Sequence, residues 1–198
     1  MKKLKHISTV LRGKFSYRPR NDPRFYDGPY PFIQTGDVAQ AGKYIIEYQQ
    51  TLNELGFAIG KEFPSNTLVM SIAANIGDVA ILGFTACFPD SIVGLIPKKN
   101  TDIDFLYYNA KAMKAELLNT ATLNTQLNIN VERIGALVTA LPPIEEQRAI
   151  TQFLDYGTTK IDTLNVKVSQ HIDRLKEFRA ALISAAVTGK IDVREESA

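Results

Sequence analysis

The chain has one cysteine, Cys87, and two histidines, His6 and His171, far apart in the sequence. One cysteine cannot close an intrachain disulfide, and one Cys with two distant His makes no metal-binding cluster, so neither a disulfide framework nor a bound metal is expected. Long apolar runs are also missing. The opening MKKLKH is basic in the manner of a signal peptide, but the apolar stretch behind it ends at Arg12 before a hydrophobic segment has formed, and nothing later approaches a membrane-spanning run. The sequence reads as that of a cytoplasmic protein with no membrane segment.

Catalytic constellations are scarce as well. A metal-dependent nuclease places carboxylates around a divalent cation, typically as Pro-Asp followed by Asp/Glu-x-Lys. Pro89-Asp90 is present, but no lysine has an acidic residue two places before it. Gly56, Gly60 and Gly77 match neither glycine spacing that cradles nucleotide phosphates, so ATP use is not expected. Asn21-Asp22-Pro23-Arg24-Phe25 is similar to the Asn/Asp-Pro-Pro-Tyr/Phe loop of amino-methyltransferases, except that Arg24 replaces the second proline, and no glycine-rich loop for S-adenosylmethionine accompanies it. Two distant histidines give little basis for a hydrolytic triad. No catalytic residue and no cofactor is therefore expected, and any associated catalysis belongs to another chain.

What is present is the make-up of a soluble globular protein of one or two domains: 198 residues, 45% hydrophobic and 22% charged. The formal net charge of +2 hides an asymmetry. Lys2, Lys3, Lys5, Arg12, Lys14, Arg18, Arg20 and Arg24 are opposed only by Asp22 over the first 24 residues, which gives that segment +7 and the remainder −5. A basic arm of this kind attracts phosphate and speeds encounter with nucleic acid; solvated surface charge is the plainer reading of the same residues.

The composition changes near Pro142-Pro143. Before it, short apolar runs at Tyr30 to Ile33, Thr67 to Ala73, Asp78 to Leu82 and Ser91 to Ile96 read as strands bounded by Gly, Pro, Asn and Asp. A helix is expected after Asn100-Thr101-Asp102, where a side-chain oxygen can cap free N–H groups, running through Phe105, Leu106, Ala112, Met113, Leu117 and Leu118. These features predict a compact α+β domain over roughly residues 1–141.

After the prolines a single long period takes over. Leu154, Ile161, Val168, Leu175 and Leu182 recur every seven residues, each followed three places later by Gly157, Leu164, His171, Phe178 and Ala185. The pattern predicts a helix of about 43 residues from Glu145 to Val187, roughly 64 Å long at ~1.5 Å per residue. Pro142 and Pro143 bar helix before its start, Glu145 and Glu146 suit its positive end, and Gly189 with Lys190 marks its stop. Gly157 costs about 1 kcal/mol relative to Ala, yet it and Ala185 permit close approach of a partner backbone. His171 is read as a packed seam residue rather than a ligand. A stripe this long calls for a second helix to cover it.

Together these segments resemble the specificity subunit of type I restriction-modification systems over nearly the whole chain. Leu141-Pro142-Pro143-Ile144-Glu145-Glu146-Gln147-Arg148-Ala149-Ile150 is similar to that family's proline-marked entry into a spacer helix, and the match continues through Ile161-Asp162 to Ala185-Ala186-Val187-Thr188-Gly189-Lys190. Tyr30-Pro31-Phe32-Ile33-Gln34-Thr35-Gly36-Asp37-Val38, Leu68-Val69-Met70-Ser71-Ile72-Ala73-Ala74-Asn75-Ile76-Gly77 and Leu127-Asn128-Ile129 resemble segments of its recognition domain.

The resemblance implies a DNA target-recognition domain over 1–141 and a spacer or dimerisation helix with a short tail over 142–198. It also implies double-stranded DNA, methyltransferase subunits and, through them, the restriction/translocase subunit as partners. Full subunits carry two recognition domains and two helices; this sequence carries one of each, so it reads as a half-length form. Pairing is expected as a two-fold homodimer, with antiparallel helices as the resemblance implies, or with another half subunit. A coiled-coil adaptor that binds only protein is the alternative function.

Arg and Lys suit phosphate and guanine, while Asn and Gln suit adenine edges. On that basis the DNA-contacting candidates are Lys14, Tyr17, Arg18, Arg20 and Arg24 on the arm, Gln34 and Thr35 beside Gly36, and Asn75 in a loop before Gly77. For the Gln34 to Asp37 stretch a structural turn is the competing reading. The partner-helix candidates are Leu154, Ile161, Leu164, Val168, His171, Leu175, Phe178 and Leu182.

Overall fold

The computed structural model describes residues 1–17, 21–73, 75–121 and 130–191. The chain divides into two compact units, Met1–Thr151 and Gln152–Ala198. The first opens with β1 (Lys2–Lys3), α1 (Leu4–Ile7), β2 (Ser8–Arg12) and a 3-10 turn at Pro23–Phe25, then β3 (Tyr26–Phe32), α2 (Thr35–Gln40), β4 (Tyr44–Ile45) and β5 (Gln50–Leu52). It continues through α3 (Glu54–Ile59), β6 (Glu62–Phe63), β7 (Leu68–Ser71), β8 (Val79–Leu82), β9 (Ala86–Cys87) and β10 (Ile92–Pro97). After α4 (Ile103–Ala112), α5 (Lys114–Ala121), α6 (Val131–Ala136) and β11 (Val138–Thr139), the long helix α7 (Ile144–Val187) begins.

The runs expected as strands form β3, β7, β8 and β10, and the first unit is mixed helix and sheet. A five-stranded sheet has the order β2-β10-β7-β8-β4, antiparallel except for the edge pair β4 and β8. Side chains of β7, β8 and β10 alternate between two cores. Leu68, Met70, Ile81, Val93 and Leu95 face a layer containing Leu4, Ile7, Leu106, Ala110 and Ile134. Val69, Ala80, Leu82 and Ile92 face the opposite way, with Ile33, Val38, Phe63 and Phe88. Both sheet faces are covered, so these strands are apolar throughout rather than alternating.

A second sheet, β5-β3-β9-β6, lies on that far side, with its own cluster of Phe15, Tyr26, Phe32, Leu52 and Cys87. Its approach depends on Gly94. A Cβ there would lie 2.9 Å from the Phe63 ring and 3.0 Å from Phe88, two rings that stack with centroids 4.0 Å apart.

The basic N-terminal segment is not a free arm over its described length. Lys2 and Lys3 pair with β11, the Leu4 N–H donates to Leu137 O at 2.8 Å, and Leu4, Ile7 and Phe15 are buried. Apolar residues interleaved with the charges tie the segment into the fold: each large side chain removed from water contributes about 1.5–3 kcal/mol, enough to immobilise the backbone between the lysines.

Asp102 caps α4 as expected, its Oδ1 accepting from the N–H groups of Asp104 and Phe105 at 3.0 Å each. The single helix expected through Leu118 is instead two, α4 and α5, separated at Met113. The Met113 N–H is shared between the carbonyls of Asn109 and Lys111, which interrupts the regular ladder.

The entry to α7 is fastened by a residue with no apolar signature. Gln147 is fully buried; its Oε1 accepts from the Asp102 N–H at 2.9 Å, and its Nε2 donates to Asn100 O at 3.0 Å and Pro142 O at 2.8 Å. The helix runs without interruption for 44 residues. It stops at Gly189, whose φ of +71° lies in the left-handed region, with the Lys190 N–H donating back to Ala185 O at 2.9 Å.

Candidate nucleic-acid interface

The described candidates for DNA contact lie in three stretches of the first unit: Lys14 to Arg24, Gln34 with Thr35, and Asn75. Around the 3-10 turn, Asp22 caps Pro23–Phe25 and is held by Arg24 through the backbone N–H at 3.1 Å, Nε at 3.0 Å and Nη2 at 2.7 Å. The same Nη2 donates to the Tyr17 hydroxyl at 2.7 Å, and the guanidinium carbon lies 5.7 Å from the Tyr17 ring centre and 5.9 Å from that of Phe25. The Arg24 hydrogen bonds hold the Asp22 carboxyl below its ordinary range, and Asp22 in turn pushes the guanidinium's proton affinity up. Arg24 is thus an oriented planar donor, two-thirds exposed, whose charge is largely matched by a neighbour.

Lys14 is exposed just before Phe15, which forms an isolated antiparallel bridge with Gly60. Lys61 follows the bridged Gly60 as Lys14 precedes the bridged Phe15, a neighbourhood that charge counting over the N-terminus could not reveal because Lys61 comes 47 positions later in the chain. Lys61 also lies over the Phe63 ring, 5.4 Å from its centre. Two lysines held across a bridge can engage one phosphate or two successive ones. Arg18 and Arg20 lie outside the described residues.

The Gln34 to Asp37 stretch forms the start of α2. The Gln34 N–H donates to Asp37 Oδ2 at 2.7 Å, so Asp37 ties down the turn. The Gln34 amide is occupied too: Nε2 donates to Gln50 Oε1 at 2.8 Å. The pair stands on the wall of a cleft of about 430 Å³ shared with Asp27, Gln40 and Gln49. Thr35 is half-buried beside it. Gln50, Gln40 and Gln49 were not foreseen; their only signal in the sequence is a run of amides near β5. Asn75 is exposed in the turn between β7 and β8, its carbonyl accepting from the Asp78 N–H at 3.2 Å.

The second unit carries the other candidates. Ile161, Leu164, Val168, His171, Leu175, Phe178 and Leu182 are all exposed along α7, while Leu154 is half-buried. A Cβ built at Gly157 would meet nothing within 4 Å, so that part of the stripe is open. Among the described residues no group of three or more His, Cys, Asp or Glu is placed to hold a metal ion, and no helix is long and apolar enough to cross a membrane. Cys87 is buried and its thiol is pushed up to about 11 by that burial, which keeps it protonated and unreactive at neutral pH.

The family described as "Type I restriction modification DNA specificity domain" matches residues 1–174, which take in the first unit and more than half of α7. The chain belongs to this family. As a specificity domain it is similar to the type I restriction enzyme EcoBI specificity subunit of Escherichia coli, with 29% identity over 86 residues, 43% of this chain and 18% of that subunit. It is also similar to the putative type I restriction enzyme MjaX specificity subunit of Methanocaldococcus jannaschii, with 25% identity over 128 residues, 64% of this chain and 29% of the relative.

Among solved structures, a chain reported under "Structural basis underlying complex assembly and conformational transition of the type I R-M system" superposes with a TM-score of 0.76, 21% identity and 93% of this chain covered. The HsdS subunit from Thermoanaerobacter tengcongensis gives 0.69, 18% and 96%. These two establish the shared fold of the specificity domain and its long helix. In each, 44% of the matched chain is covered, so this chain spans less than half the length of the relatives it matches. Specificity is what the matched family and both curated relatives are named for.

Proposed function

We propose that this chain is a sequence-specific DNA-binding specificity subunit that directs methylation and cleavage carried out by partner subunits of a type I restriction-modification enzyme. The observation that carries the reading is the family match over residues 1–174. In this reading residues 1–141 form the target-recognition domain and 142–198 the spacer helix and tail, the latter docking methyltransferase subunits and a second specificity helix. Lys14, Arg18, Arg20 and Arg24 serve the phosphates with Tyr17 bracing Arg24, while Gln34, Thr35 and Asn75 address base edges. The complex works in the cytoplasm, where its DNA is.

Filter binding to random double-stranded DNA at two salt concentrations tests the reading directly, because neutralised phosphates make affinity fall steeply with salt. The expected result is salt-sensitive binding, and sequence-specific methylation when the cognate methyltransferase subunit is added. No binding to DNA under any salt, with the helix still able to capture a protein partner, would replace this reading with that of a coiled-coil adaptor.

A further inference from the structure

The seam of α7 places Leu154, Ile161, Val168, Leu175 and Leu182 at heptad position a, and the residues three places on at position d. Its large apolar members stay in water in the single chain: Ile161 is 58% exposed, Leu175 67% and Phe178 66%. The charges around this stripe are sorted by sign. Positions e and g flank the seam, and there stand Lys160, Lys167 and Arg174 at g and Arg179 at e, with no carboxylate. The four carboxylates from Gln152 to Val187, namely Asp155, Asp162, Asp173 and Glu177, fall at b, c or f, away from the seam.

Lys176, the one cation of this stretch off the flanks, pairs with Asp173 at 3.1 Å on the outer face. Among the described residues the flanking cations have no carboxylate partner, and Lys160 rests over the Tyr156 ring at 4.5 Å.

This sorting works against a second copy in either orientation. With the whole seam overlapped antiparallel, g columns face each other and Lys167 of one copy meets Arg174 of the other, twice by symmetry. In a parallel pair g faces e, and Arg174 meets Arg179. Neither arrangement supplies an attractive pair, and both crowd cations along an interface that is otherwise apolar. A helix with acidic flanks would turn each of these contacts into an attraction. We propose that the seam of α7 is covered by an unlike amphipathic helix with acidic e and g positions, in preference to a second copy of this chain. Nucleic acid is the poorer occupant, since phosphates would satisfy the cations and leave the aliphatic stripe wet. The inference stands on the helix alone and does not depend on what the first unit reads.

A full-length chain carrying Lys160→Glu, Lys167→Glu and Arg174→Glu serves as the acidic-flanked probe, with circular dichroism checking that its helix content is kept. Mixed with wild type and read by native mass spectrometry, the unlike pair should exceed its statistical share. It should also form at roughly tenfold lower concentration than the wild-type pair, an advantage that shrinks as salt rises. A purely statistical mixture, or a wild-type pair as tight as the unlike one and indifferent to salt, would overturn the proposal. So would unchanged pairing combined with a loss of DNA affinity, which would assign the cations to phosphate. If the Glu variant loses helix, Lys160→Gln, Lys167→Gln and Arg174→Gln should self-associate more tightly than wild type; equal or weaker self-association overturns the proposal as well.

Discussion

The two units treat the same kind of residue in opposite ways. In the first, Phe88, Leu95 and Ile81 are completely shielded, with sheets and helices from the same chain on every side. In the second, Leu175, Phe178 and Leu182, as apolar as any of these, stand in water on a single helix. Exposed apolar stripes of this length mark interaction surfaces, so the first unit covers its own apolar side chains while the second leaves open the stripe that the proposed partner helix would take. The difference shows which substitutions should report on folding and which on assembly.

The sharpest way to break the comparison is a truncation in each region. Phe88→Ala removes a ring stacked on Phe63 and should cost about 3–5 kcal/mol in urea denaturation of the first unit, whereas Leu175→Ala should shift the same transition by no more than about 0.5 kcal/mol. Equal losses would mean that the stripe is part of the first unit's core. Next in size, Ile161→Glu with Leu175→Glu should abolish pairing with the acidic-flanked Glu variant in native mass spectrometry, since each apolar residue contributes about 1.5–3 kcal/mol when covered, and should leave the unfolding of the first unit unchanged.

At the junction, Gln147→Ala strands the Asp102 N–H and two carbonyls in a buried place and should destabilise the first unit by about 1–3 kcal/mol. A neutral result would show that the start of α7 is not fastened there.

Smaller effects belong to the surface. Lys14→Ala with Lys61→Ala should lower the slope of log affinity against log salt by about two units, while Arg24→Ala should lower it by less than one, because Asp22 already matches most of that charge. Equal slopes for wild type and the double lysine variant would remove the pair from the DNA contact. The smallest effect is on pH. The Asp22 carboxyl is held low in the folded chain, so its pairing contributes above the ordinary carboxylate range and is lost only as the pH falls through the lowered value, with no change at neutral or alkaline pH. An NMR titration of that carboxyl should return to the ordinary range in Arg24→Ala.

Much of this architecture is legible in the sequence. The central strands announced themselves as short apolar runs between turn residues, and α7 was readable almost to the residue, because proline, the paired acids and Gly189 act locally and the seven-residue period is a property of one helix. The candidate interface was less legible. Lys14 could be picked for its charge, but Lys61 could not, since only the Phe15–Gly60 bridge joins their segments. Arg24 is legible as a cation near Asp22, but not its clamping by Asp22 and Tyr17. Nor does the sequence show that the Gln34 amide is bonded to Gln50, 16 positions later.

By itself, then, the sequence determined the covalent and local facts: where helix must stop, which runs are apolar enough to be buried, the period of the seam and the sorting of charge along its flanks. Tertiary structure alone decided that the basic N-terminal segment is woven into the fold instead of hanging free, that Gln147 anchors the helix, and which polar side chains meet across long stretches of chain. The physical reason is range: propensities, caps and periodicity act over a few residues and are written in neighbouring letters, whereas hydrogen bonds and ion pairs between distant segments exist only after hydrophobic burial has chosen which surfaces come together.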